Sequence, residues 1–138
     1  MRSLVYELHV LVRALDRDAE VRLAPFGISY TRYLALLVID GLEGMTQRDL
    51  AAVLGQTEPT AGRTASALAD AGWLEVTRTP GGGNRRALSL TTAGRELLEA
   101  AGERLSSDFD DVVRGIGRDP DTLARDIRRI TAIIEESP

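Results

Sequence analysis

The stretch that decides the fold spans residues 46–72 and reads TQRDLAAVLGQTEPTAGRTASALADAG. Its first four residues, Thr46 to Asp49, follow the capping-box pattern that starts a helix, and Gly55 occupies a position where helices often end in a left-handed residue. Thr57 is the next N-cap, and Gly72 ends the helix that follows. The stretch therefore predicts two helices joined by a turn of about three residues, which is the helix-turn-helix layout.

A β-hairpin is predicted directly after the second of these helices. Residues 73–79 alternate apolar and polar side chains, residues 80–84 (PGGGN) form a loop tip, and residues 85–90 read as the returning strand. A hairpin with a basic tip behind a helix-turn-helix is a wing. The predicted fold is therefore mainly α, of the α+β class, and it is a winged helix-turn-helix with a two-stranded wing.

Further helices are predicted on both sides of this lobe. Residues 3–20 form an amphipathic helix, residues 21–28 connect it to the next, and Ser29 caps a second helix over residues 30–40. The second helix turns these residues inward: Tyr33, Leu34, Leu37 and Val38. Downstream, Thr91 caps a long helix over residues 92–116, and a final helix covers residues 120–136. Apolar faces are expected on both, at Leu97, Ala101, Leu105, Phe109 and Val112, and at Leu123, Ile127, Ile130 and Ile134.

The length of 138 residues suits one domain. We expect residues 1–138 to form it, with residues 29–91 as the winged-helix lobe and residues 1–20 and 92–138 as dimerisation helices. A lobe of this kind cannot cover the apolar residues of the terminal helices, so we expect a homodimer.

Several classes are excluded by composition. The chain has no Cys, so disulfides, thiol-based redox sensing and Cys-rich zinc sites are ruled out. It has no run of 18 or more apolar residues, and its first twelve residues make a poor signal peptide, so we expect a cytoplasmic protein without a membrane partner.

The net charge of −4 conceals an uneven distribution. Residues 46–95 carry six arginines against four acidic residues, whereas residues 96–138 carry six arginines against eleven. Within the middle segment, Arg78, Arg85 and Arg86 lie in nine residues that contain no acid. The positive segment therefore coincides with the helix-turn-helix and wing, as expected of a nucleic-acid binder. The chain contains Arg but no Lys, a bias that we attribute to genome composition.

Three blocks of this chain resemble the MarR family of transcription regulators. They are Thr46-Gln-Arg-Asp-Leu-Ala-Ala-Val-Leu54, Ala67-Leu-Ala-Asp-Ala-Gly-Trp-Leu74 and Asn84-Arg-Arg-Ala-Leu-Ser-Leu-Thr-Thr-Ala-Gly94. Arginines followed by Leu-Thr-x-x-Gly form the most specific part. The resemblance covers residues 29–100 by motif and the rest by helix order. It implies a two-fold dimer that represses nearby genes.

The second helix of the motif is expected to enter the major groove with its N-terminal residues against base edges. The residues predicted to contact DNA are Thr46, Thr57, Thr60, Arg63, Arg78, Asn84, Arg85 and Arg86. For Thr57 and Thr60, helix capping is an equally supported role. For Arg63, the alternative is a solvated surface side chain. Gly62 allows close approach either to DNA or to a neighbouring helix.

The wing departs from the family at one position. The family usually carries Asp-x-Arg there, and its Asp orients the Arg that enters the minor groove. Here Asn84 replaces that Asp. It can accept a hydrogen bond from Arg86 but supplies no charge pairing. The groove role is expected for Arg86, and Arg85 is the alternative.

Members of this family often bind small aromatic anions between their helices and the DNA-binding lobe. Five residues could line such a pocket here: Tyr6, His9, Arg13, Tyr30 and Tyr33. Packing at the dimer junction is the competing interpretation, and the one we favour. The acidic cluster Asp108, Asp110 and Asp111 has spacing that converges carboxylates poorly, so we interpret it as a solvated helix face and expect no metal.

These residues predict a sequence-specific, double-stranded DNA-binding regulator. It would read a pseudo-palindromic operator as a homodimer, and a small aromatic anion would release it. The alternative is a winged-helix module that binds protein, although that function would favour an apolar wing tip. We expect no enzyme and no cofactor, because one His and no Cys leave few catalytic options.

Overall fold

Residues 1–78 and 86–138 are described by a computed structural model. The described residues form α1 (Leu4–Leu23), a short 3-10 helix (Ala24–Phe26), α2 (Tyr30–Gly41), α3 (Gln47–Leu54), α4 (Glu58–Asp70), β1 (Leu74–Arg78), β2 (Arg86–Leu90), α5 (Thr92–Gly115) and α6 (Pro120–Glu136). The two strands pair antiparallel. This element order confirms the predicted, mainly helical, winged helix-turn-helix.

Side-chain caps set where the helices begin. Ser29 and Thr57 each accept a hydrogen bond from the backbone N–H three residues on, at the starts of α2 and α4. At the start of α3 both halves of the capping box form, because Thr46 Oγ1 accepts from Asp49 N and the Asp49 carboxylate accepts from Thr46 N. Gly55 ends α3 with φ of 65°. The predicted starts of these three helices are therefore confirmed.

The base of the wing is attached to the start of α3. In the hairpin Arg78 lies opposite Arg86. On its other side, β2 makes an isolated bridge through Ala87 to Thr46, and Leu88 N donates to Met45 O at 2.7 Å. The wing base and the first turn of the helix-turn-helix are thus held in one backbone network.

The Leu-Thr-x-x-Gly block forms a second attachment. Thr91 Oγ1 donates to Gly72 O at 2.7 Å and accepts from Gly94 N at 3.0 Å. A side chain at Gly94 would overlap the carbonyl oxygen of Trp73. This part of the sequence therefore needs its Thr and Gly to join the end of α4, the wing and α5.

Two compact units make up the chain, Met1–Gly102 and Glu103–Pro138. The core of the first unit contains four fully buried leucines, which are Leu23, Leu36, Leu50 and Leu68. In the second unit Val113 is buried, whereas α6 has no buried residue. The start of α6 is capped by Asp119, and the pKa of this carboxyl is lowered because it accepts hydrogen bonds from Thr122.

Some details differ from the sequence prediction. Helix α1 ends at Leu23 rather than at residue 20, because no helix breaker precedes Pro25. Leu37 was predicted to face inward but is 47% exposed, since Ala35, Leu36 and Ile39 fill the inner face of α2. Val112 is likewise exposed, and Val113 is the residue that is buried.

Candidate nucleic-acid interface

The outward face of α4 is fixed by what its inward face buries. Ala61, Ala65 and Leu68 are buried, and Arg63, which lies about 200° around the helix from Ala61, is exposed. Helices that enter the major groove present their N-terminal residues to the bases, and Arg63 lies in this part of α4. The predicted position of Arg63, outward and near the start of the helix, is what the structure shows.

Hydrogen bonds hold the polar residues of this helix end in a row. Thr57 Oγ1 donates to Thr60 Oγ1 at 2.9 Å, and Arg63 Nη2 donates to the same Thr60 oxygen at 3.2 Å. Thr57 also caps the helix, so it has a structural role whether or not it contacts a ligand. The row limits the freedom of the Arg63 guanidinium before any ligand arrives.

A cleft of about 880 Å³ lies beside the start of α4. Its lining residues come from the beginnings of α3 and α4 and from the wing base, and they are Thr46, Gln47, Arg48, Asp49, Glu58, Arg78 and Arg86. The described residues thus contribute three guanidinium groups and two carboxylates to the cleft, which is one excess positive charge. Such a surface suits a polyanion that fits between a helix end and a wing.

The two arginines of the wing base have no acidic partner within 4.0 Å among the residues that the structure describes. Arg78 and Arg86 are exposed and lie directly opposite each other in the hairpin. Like charges opposite each other on a strand pair are unfavourable, so an anion placed between them would relieve the repulsion. The predicted contacts Asn84 and Arg85 lie outside the described residues.

The structure shows what a side chain at Gly62 would meet. A Cβ atom built on Gly62 would lie 2.6 Å from Gln47 Nε2, and the same Gln47 amide donates to Glu58 O at 3.5 Å. A side chain at this position would therefore displace the end of the Gln47 side chain, which is a packing contact between α3 and α4.

Sequence reasoning missed four residues of the cleft: Gln47, Arg48 and Glu58, and also Asp49, which it recognised only as part of the capping box. Arg48 Nε lies 3.7 Å from Glu58 Oε1, and the side chains are 86% and 60% exposed. Arg48 sits inside the capping box, and Glu58 follows the Thr57 cap, so both could have been assigned to first helical turns. Their proximity depends on how α3 crosses α4, which the local pattern does not specify.

The five residues proposed for an effector pocket differ in burial. Tyr6, His9 and Arg13 are exposed on α1, Tyr30 is half-buried, and Tyr33 is buried. Burial raises the pKa of both Tyr30 and Tyr33, and the nearby Asp16 carboxylate raises that of Tyr30 further. Both phenols therefore stay protonated at neutral pH and can donate hydrogen bonds. The cleft beside α4 includes none of the five.

The acidic cluster of α5 is partly paired with arginines of the same helix. Asp108 accepts from Arg104 at 3.0 Å, and Asp111 accepts from Arg114 at 3.1 Å. Across residues 1–78 and 86–138, no three His, Cys, Asp or Glu side chains come together as a metal site. In the same residues, no helix combines the length and apolar character required to cross a bilayer.

Residues 26–85 match the sequence family described as the MarR family. The chain is also similar to YwoH, an uncharacterised HTH-type transcriptional regulator of Bacillus subtilis (strain 168). The two are 27% identical over 95 residues, which cover 69% of this chain and 68% of YwoH. The family match over residues 26–85 includes the helix-turn-helix, which is the site of the cleft.

Three solved structures share the fold. Wild-type MarR from E. coli in its apo form has a TM-score of 0.78 at 20% identity, with 96% of this chain and 98% of that chain covered. The transcriptional repressor CouR, bound to a 23-mer DNA duplex, has a TM-score of 0.80 at 23% identity, with 97% and 93% covered. MepR from S. aureus in complex with DNA has a TM-score of 0.72 at 20% identity, with 99% and 100% covered.

Proposed function

Because the chain belongs to the MarR family of transcription regulators, we propose that it binds a pseudo-palindromic operator in double-stranded DNA as a homodimer and represses transcription there. Its family and fold are those of regulators, not of enzymes. The observation that carries the proposal is the row Thr57, Thr60 and Arg63 on the exposed start of α4. The row lies beside a cleft that contains three arginines.

Each part of this surface has a role in the proposal. Arg63 contacts base edges in the major groove, where each base pair has its own pattern of donors and acceptors. The hydroxyl groups of Thr46, Thr57 and Thr60 donate hydrogen bonds to phosphate oxygens, and these contacts set the orientation of the protein on the duplex. Arg78 and Arg86 place positive charge where the wing meets the minor groove, and the DNA contacts predicted from the sequence for Asn84 and Arg85 belong to the same proposal. A wing base that carries arginines supports a DNA partner over a protein partner.

The dimer follows from the apolar surface that a single chain leaves exposed. Ile127, Ile130 and Ile134 are 47–67% exposed on α6, at helical spacing. Exposed stripes of this kind mark interaction surfaces. In the proposed dimer, a second copy of the chain covers these isoleucines. The dimer then has the two-fold symmetry that a pseudo-palindromic operator requires. We propose that the protein acts in the cytoplasm.

The direct test is a gel shift with the DNA upstream of the gene for this protein, against a scrambled duplex of the same composition. We expect a complex that survives excess scrambled competitor. Equal competition by both duplexes would contradict specific binding. Genes adjacent to the one that encodes this protein provide the next duplexes to test.

Release by a small aromatic carboxylate is the final part of the proposal, and it is motivated by the half-buried Tyr30, whose hydroxyl can donate a hydrogen bond to a carboxylate. In a thermal-shift screen, a phenolic acid that binds should raise the melting temperature of the protein, because a ligand at one hundred times its Kd stabilises the folded state by about 2.7 kcal/mol. The same compounds should weaken the gel shift. Tyr30→Phe should reduce both effects. Absence of any effect would favour packing at the dimer junction as the role of Tyr30.

A further inference from the structure

The pair Arg48–Glu58 leads to an inference that rests on the proposed function and deepens it. We propose that Glu58 determines specificity at the DNA surface. Its carboxylate disfavours arbitrary duplexes and accepts a hydrogen bond from a base that carries an amino group in the major groove, with cytosine preferred.

The position of Glu58 is the first observation. Glu58 is the first residue of α4, and its side chain lines the cleft together with Arg48, Arg78 and Arg86. It therefore places a negative charge at the start of the helix that is proposed to enter the major groove. Every phosphate that approaches this cleft meets that charge as well as the three arginines.

The second observation is that the ion pair contributes little to the fold. The Arg48 and Glu58 side chains are 86% and 60% exposed, with 3.7 Å between Nε and Oε1. Exposed ion pairs contribute little to stability, because water screens them and both side chains lose freedom. The separate contact from Gln47 Nε2 goes to the backbone carbonyl of Glu58, so the junction of α3 and α4 does not need the carboxylate.

The hydrogen-bonding capacity of the Glu58 carboxylate determines which base it can contact. An ionised carboxylate only accepts hydrogen bonds. The base-pair donors in the major groove are the amino groups of cytosine and adenine, and Glu pairs with the cytosine N4 group. On such a site the carboxylate bonds to the base, and Arg48 is free to contact a phosphate. On other sequences Glu58 keeps Arg48 engaged and repels the backbone.

The test uses the full-length chain in four forms: wild type, Glu58→Gln, Arg48→Gln and the control Asp70→Asn. Asp70 is an exposed acid at the other end of α4, about 18 Å along the axis. Its substitution changes the net charge by the same amount as Glu58→Gln, so it isolates the effect of position from that of charge. The three substituted positions are all exposed, and thermal melts establish that each form is folded.

The first measurement is selection of duplexes from a randomised library. Wild type should enrich a C·G pair at one position of each half-site, and Asp70→Asn should enrich the same sequence. Glu58→Gln should lose cytosine at that position, with a change toward adenine, because Gln pairs with adenine N6 and N7. An identical enriched sequence for wild type and Glu58→Gln would overturn the inference.

The second measurement is fluorescence anisotropy with one scrambled duplex at several NaCl concentrations. Glu58→Gln should bind it about three- to fivefold more tightly per subunit, the scale of one exposed charge pair. Release of Arg48 should steepen the slope of log K against log salt by about 0.9 per subunit. Arg48→Gln should abolish neither the cytosine preference nor folding, but it should weaken binding. If Glu58→Gln and Asp70→Asn show the same affinity for the scrambled duplex and the same dependence on salt, the inference is wrong. If wild type enriches no duplex at all, the proposed function fails as well.

Discussion

The helix-turn-helix lobe and α6 differ in where their apolar side chains lie. In the lobe, Leu50, Leu68 and Leu88 are buried within the chain, and the exposed surface at the start of α4 is polar and cationic. In α6, the isoleucines at helical spacing are all exposed. The lobe therefore has its own core and presents a surface for a polyanion. Helix α6 presents a surface for an apolar partner.

We therefore propose that the two regions serve two separate kinds of partner, DNA for the lobe and a second copy of the chain for α6. Burial within the lobe fixes α3, α4 and the wing base before DNA is met, so the DNA surface is preorganised. The apolar stripe of α6 gains its stabilisation only on association. Substitutions in the two regions should consequently have separable effects, on oligomeric state in one and on DNA affinity in the other.

The largest effect should come from Ile127→Asp in α6. A charge placed in the proposed interface should weaken the dimer by about 100-fold or more, because an uncompensated buried charge costs about 3–5 kcal/mol. Sedimentation equilibrium at micromolar concentration should then report 15 kDa, the mass of one chain. Ala132→Asp is the matched control, since Ala132 lies about 140° around the helix from Ile127. A dimer in both variants would show that this face of α6 is not the interface, and a monomeric wild type would contradict the dimer itself.

Gly94→Ala should have the next largest effect, and it tests whether the lobe depends on its own packing. The added methyl group would overlap the Trp73 carbonyl, so we expect a loss of about 1–3 kcal/mol in the free energy of unfolding. Gly115→Ala meets no atom within 4 Å and serves as the control in the same helix. Urea denaturation monitored by circular dichroism measures both. Equal stability of the two variants would contradict the close contact between α5 and the start of the hairpin.

Arg86→Ala should have a smaller effect, confined to DNA binding. Loss of one phosphate contact should reduce the slope of log K against log salt by about 0.9 per subunit. The affinities for the operator and for the scrambled duplex should fall by the same factor. Arg32→Ala, an exposed arginine of α2 outside the cleft, is the control. Anisotropy titrations at several salt concentrations provide both values. If Arg86→Ala changes neither affinity, the wing contact belongs to another residue, with Arg85 as the first alternative.

Local chemistry explains why much of the fold could be predicted. A Ser or Thr side chain caps a helix by accepting a hydrogen bond from the backbone N–H three residues later, and a Gly ends a helix through its own backbone conformation. Both effects depend only on neighbouring residues. The sequence therefore predicts these four cap positions correctly: Ser29, Thr46, Gly55 and Thr57. The wing strands followed from alternation, and their observed bounds are Leu74–Arg78 and Arg86–Leu90. These features need no information about distant parts of the chain.

Contacts between elements could not be predicted in the same way. The Thr91 bond to Gly72 spans nineteen residues, and the Arg48–Glu58 pair depends on the crossing of α3 and α4. The inward prediction for Leu37 was wrong because periodicity fixes a helical face only approximately, and neighbouring residues decide which side chains fill the core. The roles assigned to the individual site residues stay predictions.

We propose that the exposed start of α4 reads the DNA sequence, and Arg63→Ala is the substitution that tests this role. Fluorescence anisotropy should compare wild type and Arg63→Ala on the selected operator and on a scrambled duplex. We expect Arg63→Ala to lose about 1–3 kcal/mol per base contact on the operator, which is roughly 5- to 150-fold in affinity, and much less on the scrambled duplex. An unchanged ratio of the two affinities in Arg63→Ala would contradict the assignment of α4 as the recognition helix.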